Sequence, residues 1–217
     1  MIRMDTEQKR LLLYTIRPAP LHDFIEFWAA RYRDENEGLY TSNINRSIDG
    51  QHTEETLTEL FKWKLGVHFY APKVQSSLKQ NFLSQIEKAR GLPPDVSAED
   101  FLQKHFPNGG AISQIFWLHC WHPNRFPIFD QHVHRAMRFI SEGKREELEA
   151  GKVIEHYLRD YLPFFEPFKS AAVNLVFSEA HDGIRGRKAD RALLMFGLEV
   201  NSGFLDGFLE KSAACTT

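Results

Sequence analysis

The chain has 217 residues, of which 42% are hydrophobic and 26% are charged. These proportions are those of an ordinary globular protein, and they exclude disorder along the whole chain. The length is enough for one large domain or two small ones. The 27 lysines and arginines nearly balance the 29 aspartates and glutamates, for a net charge of −2. This balance excludes a protein that binds polyanions through its overall charge, so any nucleic-acid contact must come from a local basic face.

The chain contains two cysteines, Cys120 and Cys215. Two cysteines exclude a disulfide scaffold and any four-cysteine zinc or iron–sulfur site. No apolar run reaches the ~18 residues that a membrane helix requires. We therefore expect a reduced, cytoplasmic protein without membrane contact.

The first half of the chain shows mostly helical periodicity. Residues 11–16 predict a short strand or a helix start, and residues 21–33 predict an amphipathic helix. Residues 35–51 are polar and contain two glycines, which is typical of a long loop. Residues 53–66 predict a helix capped by its first threonine, and residues 74–90 predict another.

The second half of the chain continues the helical pattern. Residues 97–100 resemble a capping box, with aspartate in place of glutamate. Residues 111–121 are apolar on nearly every face, which predicts a buried central helix. Asp130 is a candidate N-cap before a clear apolar stripe. Three further helices and a last turn are predicted at residues 146–161, 164–180, 188–200 and 204–209. The sequence therefore predicts an all-α protein.

Two short segments carry a functional signal. Residues 106–114 read FPNGGAISQ, and residues 127–135 read PIFDQHVHR. These segments resemble the hairpin (L-P-G-V-G-x-K/S-T-A) and the catalytic segment (V-D-T-H-V-x-R) of the helix-hairpin-helix DNA glycosylases, the endonuclease III and adenine-mismatch type. Asp130 stands eighteen residues after Ile112. Ile112 occupies the Lys/Ser position of the hairpin, and this separation agrees with the spacing of the family.

The resemblance implies a fold of two helical subdomains. An inserted helical domain would span residues 36–125 and end in the hairpin-like motif. Residues 1–35 and 126–217 would form the second domain, and the cleft between the two would hold the flipped base. A base must leave the stack before an enzyme can reach its glycosidic bond.

The resemblance also assigns roles to residues. Asp130 would be the catalytic carboxylate, because cleavage of an N-glycosidic bond builds positive charge on the sugar. Gln131, His132 and Arg135 would support the motif around it. The hairpin would contact DNA phosphate through backbone N–H groups. The hairpin residues assigned to this contact are Asn108, Gly109, Gly110 and Ser113.

Ile112 cannot be a nucleophile, so the expected enzyme is monofunctional and leaves an abasic site. The cysteines that hold the family's iron–sulfur cluster are absent, and we expect no cofactor. His119 and His122 have a usable helical spacing for a metal. His132 and His134 follow them beyond a proline-rich break, and the four histidines have no matching carboxylate signature, so we expect no metal site.

Residues 183–191 form the most basic local stretch, with Arg185, Arg187 and Lys188 at or near a helix start. They could hold a phosphate or could form a solvated loop. Residues 61–64 place two lysines around a tryptophan, which could stack a base or could lie in the core. Two alternatives to the glycosylase stay open. They are an inactive nucleic-acid-binding module on the same scaffold and a helical protein with a partner other than DNA.

Overall fold

A computed structural model describes residues 20–175 and 186–202. All regular structure in these two ranges is helical, which confirms the predicted all-α class. No helix in these ranges is long and apolar enough to cross a membrane. The α-helices, numbered in chain order, are α1 (Leu21–Ala29), α2 (Glu37–Ile48), α3 (Glu54–Leu65), α4 (Pro72–Asn81), α5 (Ile86–Arg90), α6 (Ala111–Trp121), α7 (Gln131–Glu142), α8 (Val153–His156), α9 (Leu162–Leu175) and α10 (Arg187–Asn201). Short 3-10 segments (Gly66–Tyr70, Leu83–Gln85 and Ala150–Lys152) and π-helical segments (Asp100–His105 and Tyr157–Tyr161) lie between them.

Local capping signals are confirmed. Thr53 accepts a hydrogen bond from the backbone N–H of Thr56 at 3.1 Å, and the Thr56 hydroxyl accepts one from the Thr53 N–H at 2.9 Å. Ser97 likewise accepts from the backbone N–H of Asp100 at 3.0 Å. The predicted central helix is α6, whose residues 114–120 are all buried.

One group of helices consists of α1, α7, α9 and α10. Helix α10 lies against both α7 and α1, and α9 also packs on α1. The contact between α7 and α10 is unusually close at Gly197. A Cβ atom there would lie 1.9 Å from the backbone oxygen of His132, so only glycine fits at this crossing.

A second group contains α2, α3 and α6. Helix α2 packs on α3, and α6 lies against α2. Phe61 of α3 stacks on Phe82 and meets Phe116 of α6 edge to face, with ring centroids 5.3 and 5.2 Å apart. Helix α6 also contacts α8, which continues into α9 of the first group. The predicted domain boundaries and the glycosylase-type arrangement stay predictions.

The predicted loop at residues 35–51 is wrong, because residues 37–48 form helix α2. Its buried face includes Asn43 and Ser47, which hide the apolar periodicity. The Asn43 amide donates to the backbone oxygen of Leu39 at 2.9 Å, and the Ser47 hydroxyl donates to that of Asn43 at 3.2 Å. These polar side chains are tolerated inside because their own helix satisfies them.

Two other predicted helices have different bounds. Residues 74–90 are interrupted after α4, where Phe82 leaves helical geometry (φ −126°, ψ −60°) and its ring enters the core. Residues 146–161 become helical only from Ala150, because Glu146 and Glu147 turn back to pair with arginines of α7. The predictions for residues 11–16, 176–180 and 204–209 lie outside the described residues.

Candidate active site

Asp130 lies directly before α7 and caps it, as predicted, with extended backbone angles (φ −159°, ψ −176°). Its Oδ1 accepts hydrogen bonds from the backbone N–H groups of His132 at 3.0 Å and Val133 at 3.1 Å. These bonds satisfy two donors that the first turn of a helix leaves free. The side chain remains 21% exposed, so the carboxylate reaches solvent while it caps the helix.

The other carboxylate oxygen of Asp130 pairs with Lys64, near the C-terminal end of α3. The Lys64 Nζ lies 2.8 Å from Asp130 Oδ2, and the lysine side chain is 12% exposed. Burial alone would raise the pKa of Asp130, but Lys64 and the capping N–H of Val133 outweigh burial and hold this pKa below its usual value. Asp130 is therefore an anion at neutral pH. The pair joins α3 of one group of helices to α7 of the other.

Three buried side chains hold the backbone of residues 126–128, in the loop that leads to Asp130. His119 Nδ1 donates to the carbonyl of Phe126 at 2.7 Å. The Tyr157 hydroxyl donates to the carbonyl of Pro127 at 3.3 Å. The Asp190 carboxylate accepts from the backbone N–H of Ile128. Because these anchors come from α6, from a π-helical segment and from α10, the loop presents Asp130 in one position.

His119 uses both of its ring nitrogens. A carbonyl oxygen only accepts, so Nδ1 carries the proton and Nε2 accepts from the Tyr40 hydroxyl at 2.7 Å. Burial lowers the pKa of His119 to about 3, so the ring is neutral. Neither nitrogen is free for a metal. The described residues contain no group of three His, Cys, Asp or Glu side chains that could hold one.

Arg187, one of the predicted phosphate contacts, is turned into the protein. It is 3% exposed and donates from Nε and Nη2 to the two carboxylate oxygens of Glu37, at 3.0 and 2.8 Å. Its guanidinium carbon lies 4.4 Å from the ring centroid of Tyr40 and 5.2 Å from that of Trp63. Arg187 therefore joins α10 to α2 and α3, and its guanidinium does not face solvent.

The other residues of this basic stretch are also engaged or lie outside the described part of the chain. Lys188 pairs with Glu26 of α1 at 2.5 Å. Arg185 lies outside the described residues. The described cations of residues 183–191 therefore bind helices to one another in this structure.

Trp63, in the predicted lysine-flanked segment, donates its indole N–H to Asp34 at 2.8 Å and packs against Tyr40, with ring centroids 4.4 Å apart.

The predicted hairpin connects the π-helical segment Asp100–His105 to α6. Residues 107–110 are exposed and Ser113 is half-buried, so this turn is open to a partner. Gly109 has a positive φ of +103°, and a Cβ atom there would lie 2.7 Å from the Phe82 ring. The first turn of α6 has no side-chain cap, which leaves backbone N–H groups for an anion.

The three residues predicted to support the motif anchor the first turn of α7. Gln131 accepts from the backbone N–H of Leu148 at 3.1 Å. Arg135 is buried, pairs through two nitrogens with Glu147 at 2.9 and 2.6 Å, and donates to His132 Nδ1 at 3.3 Å. Burial lowers the pKa of His132 although Asp130 opposes this effect, so the ring is neutral at pH 7. Of these three residues, His132 also acts on Asp130 directly, through its backbone N–H and through the electrostatic interaction of its ring with the carboxylate.

Sequence reasoning missed two residues of this site, Lys64 and Asp190. Lys64 is one of the two lysines around the tryptophan in residues 61–64, for which the sequence left base stacking and core packing open. Asp190 lies in residues 183–191, which were interpreted only through their positive charges. Both carry a usable signal, a charged residue on the apolar side of a predicted helix. No protein-family model, no curated protein and no solved structure matches the chain.

Proposed function

We propose that the chain is a DNA glycosylase-like enzyme that hydrolyses the N-glycosidic bond of a damaged or modified base, with Asp130 as the catalytic carboxylate. The observation that carries the proposal is the Asp130–Lys64 pair. It supplies a partly exposed carboxylate anion where two groups of helices meet. The substrate class rests on the resemblance of residues 106–114 and 127–135 to the helix-hairpin-helix glycosylases.

The chemistry requires an anion in a fixed position. Cleavage of the glycosidic bond builds positive charge at C1′, and a carboxylate stabilises this charge or orients the attacking water. Asp130 meets the requirement because it is ionised at neutral pH and because its cap and the anchored loop hold it in place. The exposed turn at residues 107–110 supports a phosphate contact.

Lys64 has two consequences for this chemistry. Its ammonium group keeps Asp130 ionised, but at 2.8 Å it also offsets the negative charge that the sugar needs. Substrate binding must therefore loosen the pair before the sugar takes the place of the lysine. An amine in this position can also act as a nucleophile, which Ile112 cannot. The assay must therefore separate base excision from strand cleavage.

The test is single-turnover excision on labelled duplexes that carry uracil, hypoxanthine, oxidised guanine, alkylated purines, mismatched adenine or modified cytosines. Each reaction is divided into an alkali-treated and an untreated half. We expect one duplex to be cleaved only after alkali, and this cleavage to be lost in Asp130→Asn. Asparagine keeps an oxygen for the helix cap, so the variant should fold. Asp100→Asn, an exposed carboxylate in another helix start, is the control and should keep full activity.

Two outcomes would change the proposal. Full excision by Asp130→Asn would remove the catalytic role of this residue. Cleavage without alkali, lost in Lys64→Met, would replace the monofunctional reaction with one in which Lys64 opens the strand.

The second candidate is a DNA-binding module without catalysis. It is favoured by one observation, that both carboxylate oxygens of Asp130 are engaged by the protein itself. Salt-dependent duplex binding together with a silent excision panel would support this module. A silent panel without any duplex binding would indicate a partner other than DNA.

A further inference from the structure

Two buried polar atoms beneath the loop that carries Asp130 have no hydrogen-bond partner in the part of the chain that the structure describes. They are Asp190 Oδ1 and the Tyr161 hydroxyl. Asp190 is 4% exposed and Tyr161 is 0% exposed. Buried polar atoms in folded proteins nearly always bond to protein or to ordered water. Each of the two atoms can therefore still make a hydrogen bond to a small molecule such as water.

Both side chains contact the same short loop. Asp190 accepts the backbone N–H of Ile128. The ring of Tyr161 lies against that of Phe129, with centroids 4.9 Å apart. The two side chains that carry the unpartnered atoms therefore lie against the two residues directly before Asp130.

The shape of the backbone and the electrostatics agree with this placement. Tyr161 ends the π-helical segment Tyr157–Tyr161, a type of turn that is frequent at functional sites. Burial raises the pKa of the Tyr161 hydroxyl, and the negative charges of Asp190 and Asp130 raise it further. The Tyr161 hydroxyl therefore interacts electrostatically with both carboxylates.

We propose that Asp190 Oδ1 and the Tyr161 hydroxyl bind one water molecule under residues 127–130, and that Asp190 is a positioning residue for Asp130. A water molecule fits because it can donate to the carboxylate and accept from the hydroxyl, which satisfies both atoms. The positioning role rests on the proposed function, whereas the water site does not.

The charge of Asp190 gives the positioning role its own signature. Burial, opposed by Arg187, raises the pKa of Asp190 to about 7, so this carboxyl changes its protonation near neutral pH. Ionisation adds a second negative charge where a sugar cation must be stabilised. Six charged or titratable groups interact electrostatically with Asp190. They are Arg187 on α10, Lys64 on α3, Asp130 before α7, Tyr40 on α2, and Tyr157 and Tyr161 on the π-helical segment.

The water site is tested by crystal structures of the wild type and of Tyr161→Phe at a resolution that shows ordered water. We expect one water within hydrogen-bond distance of both atoms in the wild type and its loss in the variant. Tyr157→Phe is the matched control, because its hydroxyl lies in the same π-helical segment but already donates to a backbone carbonyl. This control should keep the water. A protein side chain on both atoms, or a water retained in Tyr161→Phe, would overturn the site.

The positioning role is tested by single-turnover excision between pH 6 and 8. One unit charge about 10 Å away at an effective dielectric constant of about 20 changes a rate by roughly tenfold. Because a carboxyl with a pKa of about 7 is already partly ionised at pH 6 and not fully ionised at pH 8, the wild-type rate should rise about fivefold across this window. Asp190→Asn should keep the low rate throughout, whereas a purely structural loss would lower the rate equally at every pH. An unchanged rise in Asp190→Asn would refute the role. If the wild type excises no base, the proposed function fails and the crystal structures still decide the water site.

Discussion

Alanine at residue 197 tests the close crossing of α7 and α10. The added Cβ atom would lie 1.9 Å from the backbone oxygen of His132 and 2.6 Å from its carbonyl carbon. An ordinary contact is longer by roughly 1.5 Å, so the helices must separate by a similar distance. Overpacking costs about 1–3 kcal/mol and occasionally more, and alanine regains up to about 1 kcal/mol of helix propensity. Because backbone atoms cannot rotate away, we expect a cost at the upper end of this range and a net loss of about 2 kcal/mol.

The free energy of unfolding of Gly197→Ala is measured by urea denaturation. Gly38→Ala is the matched control, because a Cβ atom at this position in α2 has no neighbour within 4 Å. The control should be as stable as the wild type or more stable by up to about 1 kcal/mol. His132 follows Asp130 by two residues, so Gly197→Ala should also slow the proposed base excision. A Gly197→Ala variant with wild-type stability would show that α7 and α10 do not approach as described.

Three further substitutions test the charged contacts and the hairpin. Lys64→Met should lower the free energy of unfolding at pH 7 by about 2–3 kcal/mol, because a mostly buried carboxylate loses its partner. This loss should shrink below the ordinary pKa of aspartate, and Lys62→Met, 39% exposed in the same helix, should have little effect. Asp190→Asn should gain stability relative to the wild type as pH rises from about 4 to 7. The pKa of Asp190 is about 7 in the folded wild type and 3.8 in the unfolded chain. The free energy of unfolding of the wild type therefore falls by roughly 4 kcal/mol across this pH window, whereas that of Asp190→Asn does not. Parallel pH profiles in urea denaturation would contradict this expectation. Gly109→Ala should lower the thermal midpoint more than Gly110→Ala, because residue 109 combines φ +103° with a ring 2.7 Å from the added Cβ, whereas the nearest atom at residue 110 is 4.0 Å away. Equal midpoints would show that the turn can rearrange.

Features of the chain that depend on neighbouring residues were predictable. The caps at Thr53 and Asp130 could be predicted from the sequence, because a cap needs only a short polar side chain before a periodic segment. The buried helix α6 was visible because its residues are apolar on nearly every face. The stripe that follows Asp130 predicted α7 for the same local reason.

Helix α2 shows where local reasoning failed. Its buried face contains Asn43 and Ser47, which read as solvent-facing in a sequence pattern. Only the packed structure shows that their hydrogen bonds are satisfied within the helix. Burial of a polar residue therefore depends on partners that a hydrophobicity pattern does not contain.

The chain's own pattern determined that Asp130 begins a helix, but only the tertiary structure decided which groups surround its carboxylate. Lys64 is 66 residues away along the chain, and Arg187 reaches Glu37 across 150 residues. In the sequence, each of these charges is equally compatible with a solvated surface, because a long side chain in water needs no particular partner. Packing removes water from the junction between the helices, and a charge left there is stable only beside an opposite charge. That requirement is met by the pairs of Lys64 with Asp130 and of Arg187 with Glu37.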